Sequence, residues 1–285
     1  MKIRSSENSH EFQERLFNRL KAYSLQGLLM NSNHEFTAAV EAVQYDDCDD
    51  ENVPAFSDDQ LHARCVLAEN IGIPFYLLCY VRGIYRVNRV ETKDNGIKTV
   101  LENELNEDGF ADWWAELKQT TQTKQLNNGG ETRLRETVFD TTLRKHGLEW
   151  GGNIDGFMLS DDGKKVKCII DNISVSRSDL NDEPSHYFNS TNPKHGPRYE
   201  GWYGAVKLAK TLNVPHILFT IDKKSPTCEH IGFTVFDKLT PDGIYYVENV
   251  KPNNNILNGL ENIVRVVNDK VRTSSAPKLV EKEDA

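Results

Sequence analysis

The chain has 285 residues, enough for one large domain or two small ones, and 38% of them are hydrophobic. Its formal net charge of −9 argues against a protein that binds nucleic acid by bulk charge alone. The five cysteines are odd in number and show no metal-site spacing, which is typical of free thiols in an intracellular protein. The N-terminal sequence has no apolar signal core and no stretch approaches transmembrane length, so we expect a cytoplasmic location.

The first part of the chain predicts a small α/β unit over residues 10–90. Apolar periodicity indicates helices and strands within it. In chain order these are a helix at 10–22, strands near 27–31 and 37–44, a helix at 57–71, and strands at 74–81 and 84–90. An acidic run at 46–59 interrupts them and predicts a solvated loop, with a docking surface for a basic partner as the alternative.

Residues 91–130 predict a helical linker. Its acidic helix, at about 98–119, carries an aromatic stripe that favours packing over a binding platform. A second α/β unit follows at 131–270, and residues 271–285 predict a disordered tail. The second unit should contain a helix at about 130–146, strands at 154–160 and 165–175, a polar loop at 178–197, a helix at 198–212, a strand at 215–221, a hairpin at about 230–248 and a helix at about 255–270.

The two units look like an internal duplication. Residues 63–78 and residues 204–219 each predict an amphipathic helix, a turn that ends in proline, and a buried strand. Leu67, Ala68 and Pro74 in the first match Leu208, Ala209 and Pro215 in the second. Upstream, residues 27–43 match residues 156–173 with one gap, which aligns Glu41 with Asp171. Chance matching of two common helix–strand patterns is the alternative.

The second unit carries a pair of acids on neighbouring predicted strands. One strand reads GGNIDGFML and contains Asp155, and the next reads KCIIDNISVSR and contains Asp171. An unpaired charge in the second, apolar strand would cost several kcal/mol, so Asp171 needs a partner. Magnesium prefers hard oxygen ligands, and two carboxylates on adjacent strands supply two of them. A strand-end Asp that binds a backbone amide or an arginine is the alternative.

These motifs, over about residues 131–221, resemble the PD-(D/E)XK nuclease superfamily, which has the fold of type II restriction endonucleases. The resemblance implies a restriction-endonuclease-like α/β core, a mixed sheet flanked by helices, in the C-terminal half. It implies a Mg²⁺- or Mn²⁺-dependent endonuclease that cleaves DNA in a restriction or antiviral defence setting. It also implies Asp155 and Asp171 as catalytic metal ligands, with Glu136 on the preceding helix as a third. A solvated surface glutamate is the alternative for Glu136.

The chain departs from the family at the lysine expected two residues after the second acid, where it has Ile173. Residues i and i+2 share one face of a strand, so an apolar group takes the place of that lysine. The site is then inactive, works with acids alone, or uses a cation from another element. Lys207, on the predicted helix at 198–212, is the candidate for that cation, and a surface lysine is the alternative.

Basic and aromatic residues near the second acid are candidates for DNA contacts. Arg177 follows the strand of Asp171 and can hold a phosphate bidentately, or cap the strand. The Gly- and Pro-containing loop at 189–202 can follow a phosphate backbone. It supplies Lys194, His195, Arg198 and Tyr199.

The first unit predicts a degenerate copy. Gln26 stands where the second unit has Asp155, and Val43 stands at the lysine position. With one active copy per chain, duplex cleavage would need a homodimer or a larger defence complex. One competing interpretation is a catalytically inactive nuclease-like fold that binds nucleic acid or protein as a scaffold. Another is an enzyme or interaction module of a different α/β type, in which the acid pair is coincidental.

Overall fold

The computed structural model describes residues 4–45, 55–93, 96–120, 137–175, 199–222, 230–239 and 253–280. The helices are α1 (Arg4–Leu20), α2 (Asp58–Asn70), α3 (Glu107–Leu117), α4 (Val138–Lys145), α5 (Tyr199–Leu212) and α6 (Leu260–Thr273). The strands are β1 (Ala22–Met30), β2 (Phe36–Tyr45), β3 (Phe75–Val81), β4 (Ile84–Lys93), β5 (Gly96–Leu105), β6 (Gly152–Leu159), β7 (Val166–Val175), β8 (His216–Asp222), β9 (His230–Phe236), β10 (Lys238–Leu239), β11 (Asn253–Asn258) and β12 (Lys278–Leu279). Within these ranges, no helix combines the length and apolar character that crossing a membrane requires.

Contacts divide the chain into two compact units. The middle unit comprises residues 25–153, and the outer unit comprises residues 1–24 and 154–285. In the middle unit the strand order is β1-β2-β3-β4-β5, and in the outer unit it is β11-β9-β8-β7-β6. Each run of strands is mixed, because one pair is parallel (β2 with β3, β7 with β8) and the others are antiparallel. The chain is therefore a mixed α/β protein with helices flanking its strands, as the sequence predicts.

The two repeats share their strand register. The Ala39 N–H donates to the Pro74 carbonyl at 2.9 Å, and the Ile169 N–H donates to the Pro215 carbonyl at 3.0 Å. Two residues further along each central strand, Glu41 pairs with Leu77 and Asp171 pairs with Leu218. The alignment of Glu41 with Asp171 is therefore confirmed by the pairing of the strands.

The first helix of the second repeat packs in the middle unit. Phe139 and Leu143 of α4 are 1% exposed and join a core with Tyr85 and Phe110. The Tyr85 hydroxyl also forms a 2.6 Å hydrogen bond with the Thr142 hydroxyl. This helix therefore completes the core beside the strands of the first repeat.

The first helix of the first repeat packs in the outer unit. Leu16 and Phe17 of α1 join a core that contains Ile170 and Phe219. Gly156 makes room for this helix, because a Cβ at that position would lie 2.9 Å from the Phe17 ring. The repeats thus exchange their first helices, and the compact units group the chain differently from the predicted units at 10–90 and 131–270.

The predicted helical linker at 91–130 is wrong in its first half. Residues Gly96–Leu105 form β5, which pairs with β4, and the helix begins only at Glu107. Asn106 caps this helix, since its side chain accepts the Gly109 N–H at 2.8 Å. Backbone pairing with β4 satisfies the polar groups of β5 and overrides its modest helix propensity.

The predicted disordered tail at 271–285 is also wrong over its described part. Helix α6 continues to Thr273, and β12 pairs in parallel with β10. The Lys278 N–H donates to the Asp237 carbonyl at 2.9 Å, and the Val280 N–H donates to the Leu239 carbonyl at 2.9 Å. Two backbone hydrogen bonds hold this polar segment, which has little apolar signal of its own.

Candidate functional site

The two acids of the second repeat lie where β6 and β7 stop pairing as a regular ladder. Gly156 pairs with Ile170, and the next residue on each strand is Asp155 and Asp171. Beyond that pair a side chain replaces the backbone as hydrogen-bond acceptor. The Oδ2 atom of Asp155 accepts the Asn172 N–H at 3.0 Å and the Asn172 side-chain amide at 2.9 Å. Asp155 is half-buried. Its carboxylate is oriented by two donors of one residue, Asn172.

Asp171 is buried and bonded to a histidine. The residue is 4% exposed, and its Oδ2 atom lies 2.5 Å from Nε2 of His216. His216 is fully buried, with its ring packed against Phe236 at a centroid distance of 5.1 Å. An ionised Asp171 can only accept, so this hydrogen bond requires the proton on Nε2 of His216. The histidine supplies the partner that a buried carboxylate needs.

The first repeat builds the same strand junction with different groups. Gln26 occupies the position of Asp155, and its Oε1 atom accepts the Ala42 N–H at 2.8 Å. Glu41 occupies the position of Asp171, and its Oε1 atom accepts the Gln26 N–H at 3.2 Å. Ala42 and Asn172 are equivalent in the register, so each repeat has a side-chain oxygen on the same backbone amide.

Glu41 is paired with a fixed cation. The Nε atom of Arg64 lies 2.6 Å from Oε1 of Glu41, and the two residues are 4% and 1% exposed. Arg64 also donates to the Gln60 carbonyl at 2.9 Å and lies over the Phe56 ring at 4.7 Å. Burial raises the pKa of Glu41, and the charge and hydrogen bond of Arg64 oppose this without cancelling it.

The partners of the two acids come from different elements. Arg64 lies on α2, and the matching residue on α5 is Ala205, which has no polar group. His216 begins β8, and the matching residue of β3 is Phe75. Both equivalences follow from the shared turn, in which Ile73 and Val214 donate to the carbonyls of Ala68 and Ala209.

The remaining predicted site residues divide by where they lie. Ile173 is half-buried on β7 and paired with Thr220, so an apolar side chain does take the lysine position. Lys207 is half-buried on α5, which packs against β7, and Tyr199 is the first residue of α5. Five predicted residues lie outside the described part of the chain: Glu136, Arg177, Lys194, His195 and Arg198.

Sequence reasoning missed His216 and Asn172, the two partners of the acids. A signal for His216 exists in the repeat, where a histidine replaces Phe75 at the start of a buried strand. A buried imidazole needs a hydrogen-bond partner, and the aligned acid two residues away in register is the nearest candidate. Asn172 gives no comparable signal, because its contact depends on how the two strands separate.

The donor chemistry of the junction is that of oxygen-rich metal sites, with two carboxylates on adjacent strands. Within the described ranges, no three His, Cys, Asp or Glu side chains are grouped closely enough to hold a metal ion. A comparison of the chain with protein-family models, with curated proteins and with solved structures found no match.

Proposed function

We propose that the second repeat carries a metal-dependent endonuclease site that hydrolyses phosphodiester bonds in DNA, with Asp155 and Asp171 as metal ligands. One observation carries the proposal: the ladder of β6 and β7 ends at one residue pair, and the next residue on each of the two strands is an acid. Such a pair offers hard oxygen ligands to Mg²⁺ or Mn²⁺. The resemblance of this segment to PD-(D/E)XK nucleases supports the same chemistry.

The residues at the junction fit a divalent cation in donor type. A carboxylate accepts several bonds at once, so the hydrogen bonds to Asn172 and His216 do not exhaust the two acids. Both bonds orient the acids as outer partners of metal ligands commonly do. A bound ion would supply polarisation of the phosphate and a more acidic water.

The other roles follow the resemblance. Glu136 is proposed as a third ligand, and Lys207 as the cation that replaces the strand lysine lost to Ile173. Contacts to the DNA backbone are proposed for Arg177, Lys194, His195, Arg198 and Tyr199. The proposed setting is a cytoplasmic restriction or antiviral defence system, with a homodimer or larger complex for cleavage of both strands.

The proposal is tested by cleavage of supercoiled plasmid with Mg²⁺, with Mn²⁺ and with EDTA. Asp155→Asn and Asp171→Asn should each reduce metal-dependent nicking by about 100-fold or more, because each removes a charged ligand. Asp162→Asn is the matched control, since this exposed acid lies in the turn between β6 and β7. It should cleave at the wild-type rate.

A second candidate function is a catalytically inactive nuclease-like fold that binds nucleic acid or protein. Two observations favour it: Asp171 is hydrogen-bonded to a fully buried histidine, and Ile173 occupies the position of the family's lysine. Titration with Mn²⁺, followed by electron paramagnetic resonance, separates the two functions. Mn²⁺ binding that Asp155→Asn abolishes supports the nuclease. The absence of both binding and cleavage contradicts it and leaves the scaffold.

A further inference from the structure

A cavity of about 570 Å³ lies in the middle unit, well apart in sequence from the two acids of the second repeat. It opens where β2 and β3 begin, beside the C-terminal end of α3. Its volume is within the range of small-molecule sites, which is roughly 300–1,000 Å³. The cavity therefore has room for a small ligand or for one long side chain of a partner.

Aromatic rings form part of its wall. Tyr76 of β3 and Trp113 of α3 are in edge-to-face contact, with centroids 5.3 Å apart and planes at 88°. Phe36, the first residue of β2, adds a third ring to the lining. In an edge-to-face pair the edge of one ring lies on a π face of the other, and Phe110 stacks on Trp113 at 6.1 Å. A ring face that is left open to the cavity attracts a cation within about 6 Å.

The charge of the lining has one sign. Glu35 and Glu116 contribute carboxylates, and no Lys, Arg or His is among the described residues that line the cavity. An anionic ligand such as a phosphate would meet two carboxylates of the lining, and the nearby Arg89 is already bonded to the Tyr76 side chain. A cation with an apolar body suits both the carboxylates and the rings.

The rim of the cavity is held by a buried asparagine. Asn31 is 7% exposed, and its amide donates to Glu35 and to Gln119 at 2.9 Å each. Its Oδ1 atom accepts the N–H groups of Asn33 and Glu35. These bonds tie the β1–β2 turn to the segment after α3, so these two parts of the lining are preorganised.

We propose that this cavity binds an alkylated ammonium group, with the cation against the rings of Tyr76 and Trp113 and its charge balanced by Glu35 and Glu116. The group is carried by a free quaternary ammonium compound or by a methylated lysine of a partner. This ligand class goes beyond the nuclease function, and the site stands whether or not the chain cleaves DNA.

The test is a calorimetric titration of the full chain with choline and with 3,3-dimethylbutan-1-ol, which has the same shape and no charge. Choline should bind at least about tenfold more tightly, as a cation held by π faces and carboxylates requires. Equal binding of the two, or no binding of choline, overturns the proposal. A peptide with trimethyllysine, set against the same peptide with unmodified lysine, identifies the source: stronger binding than choline indicates a protein partner, and weaker binding a free compound.

Variants locate the site. Glu116 is exposed, so Glu116→Gln should preserve the fold and weaken choline binding several-fold. Glu14→Gln, at an exposed position of α1, is the control and should leave binding unchanged. Trp113→Leu should abolish the preference for choline over its neutral analogue, provided that circular dichroism shows a folded chain. Wild-type preference in both Glu116→Gln and a folded Trp113→Leu would place the binding elsewhere and overturn the assignment.

Discussion

The two repeats place an acid at one position of the same strand pattern and then treat it differently. Glu41 lies against the guanidinium of Arg64, a cation that does not lose its proton in proteins. Asp171 lies against the imidazole of His216, which can donate a hydrogen bond as a neutral group. The first repeat therefore contains its own permanent counter-charge, whereas the second holds its acid with a group that does not have to be charged.

The different partners also give the two acids different capacities to bind a metal ion. A carboxylate neutralised by a buried arginine has little remaining attraction for a metal ion, because a cation already lies beside it. Ala205, at the position of Arg64, brings no charge to the second repeat. Of the two acids, Asp171 is therefore the one that the proposed metal site requires, and Glu41 bonds α2 to β2 through Arg64.

The largest effect should come from removing the cation of the first repeat. Arg64→Ala leaves the carboxylate of Glu41 buried without its partner, and we expect a loss of about 3–5 kcal/mol in the free energy of unfolding. Urea denaturation measures it. The double variant Arg64→Ala, Glu41→Leu removes both charges and should recover most of the loss. A single variant within about 1 kcal/mol of wild type would show that the ion pair does not hold the first repeat.

A smaller loss is expected from the equivalent change in the second repeat. His216→Phe introduces the residue that the first repeat has at this position and leaves Asp171 without its imidazole donor. A lost hydrogen bond to a buried charged group costs about 1.5–3 kcal/mol. A double-mutant cycle with Asp171→Asn should give a coupling energy of about 0.5–3 kcal/mol. A coupling energy near zero would show that the hydrogen bond between His216 and Asp171 does not stabilise the second repeat.

Because the first helices pack in exchanged units, a core substitution in either helix should lower the free energy of local unfolding by about 1–2 kcal/mol. Phe139→Leu should speed hydrogen exchange of the backbone amides in β3 and β4, because α4 packs in the middle unit. Phe17→Leu is the matched variant in α1, and it should speed exchange in β8 and β9 instead. If each variant affected the strands of its own repeat, the exchanged arrangement would be wrong.

Per pH unit, the smallest effect is a pH dependence of the Arg64→Ala deficit. Without Arg64, its charge and its hydrogen bond no longer lower the pKa of Glu41, and only the Gln26 N–H bond still opposes the upward effect of burial. A carboxyl whose pKa is higher in the folded than in the unfolded state binds more protons when folded, so stability falls as pH rises between the two values. The deficit should therefore shrink on acidification, by at most about 1.4 kcal/mol per pH unit. Urea midpoints between neutral pH and the ordinary glutamate pKa test this, and a deficit that grows contradicts it.

Several features of the fold could be predicted because they depend on local pattern. The alternation of apolar residues sets the strands, and the Pro74 and Pro215 turns set their register, so Glu41 and Asp171 align without a structure. The replacement of the strand lysine by Ile173 is likewise visible in the sequence, because two residues on one strand share a face.

The partners of the acids could not be predicted in the same way. Arg64 reaches Glu41 from a helix and His216 reaches Asp171 from a neighbouring strand, although the repeats align. The residues at the two matching positions, Ala205 and Phe75, are apolar. Which element supplies a partner depends on side-chain reach across packed elements, and periodicity carries no information about it.

The sequence by itself determined the α/β class, the match between the two helix–strand segments and the place of one acid in each, since these follow from strand and helix periodicity along the chain. Only the tertiary structure decided that α1 packs in the outer unit and α4 in the middle unit, each away from the strands of its own repeat. It also decided that residues 96–105 form a strand. It also decided that Asp155 is held by Asn172 and Asp171 by His216. Those outcomes depend on which surfaces meet across long sequence separations. Apolar area is buried, and buried polar groups find hydrogen-bond partners, only when all of these contacts form together.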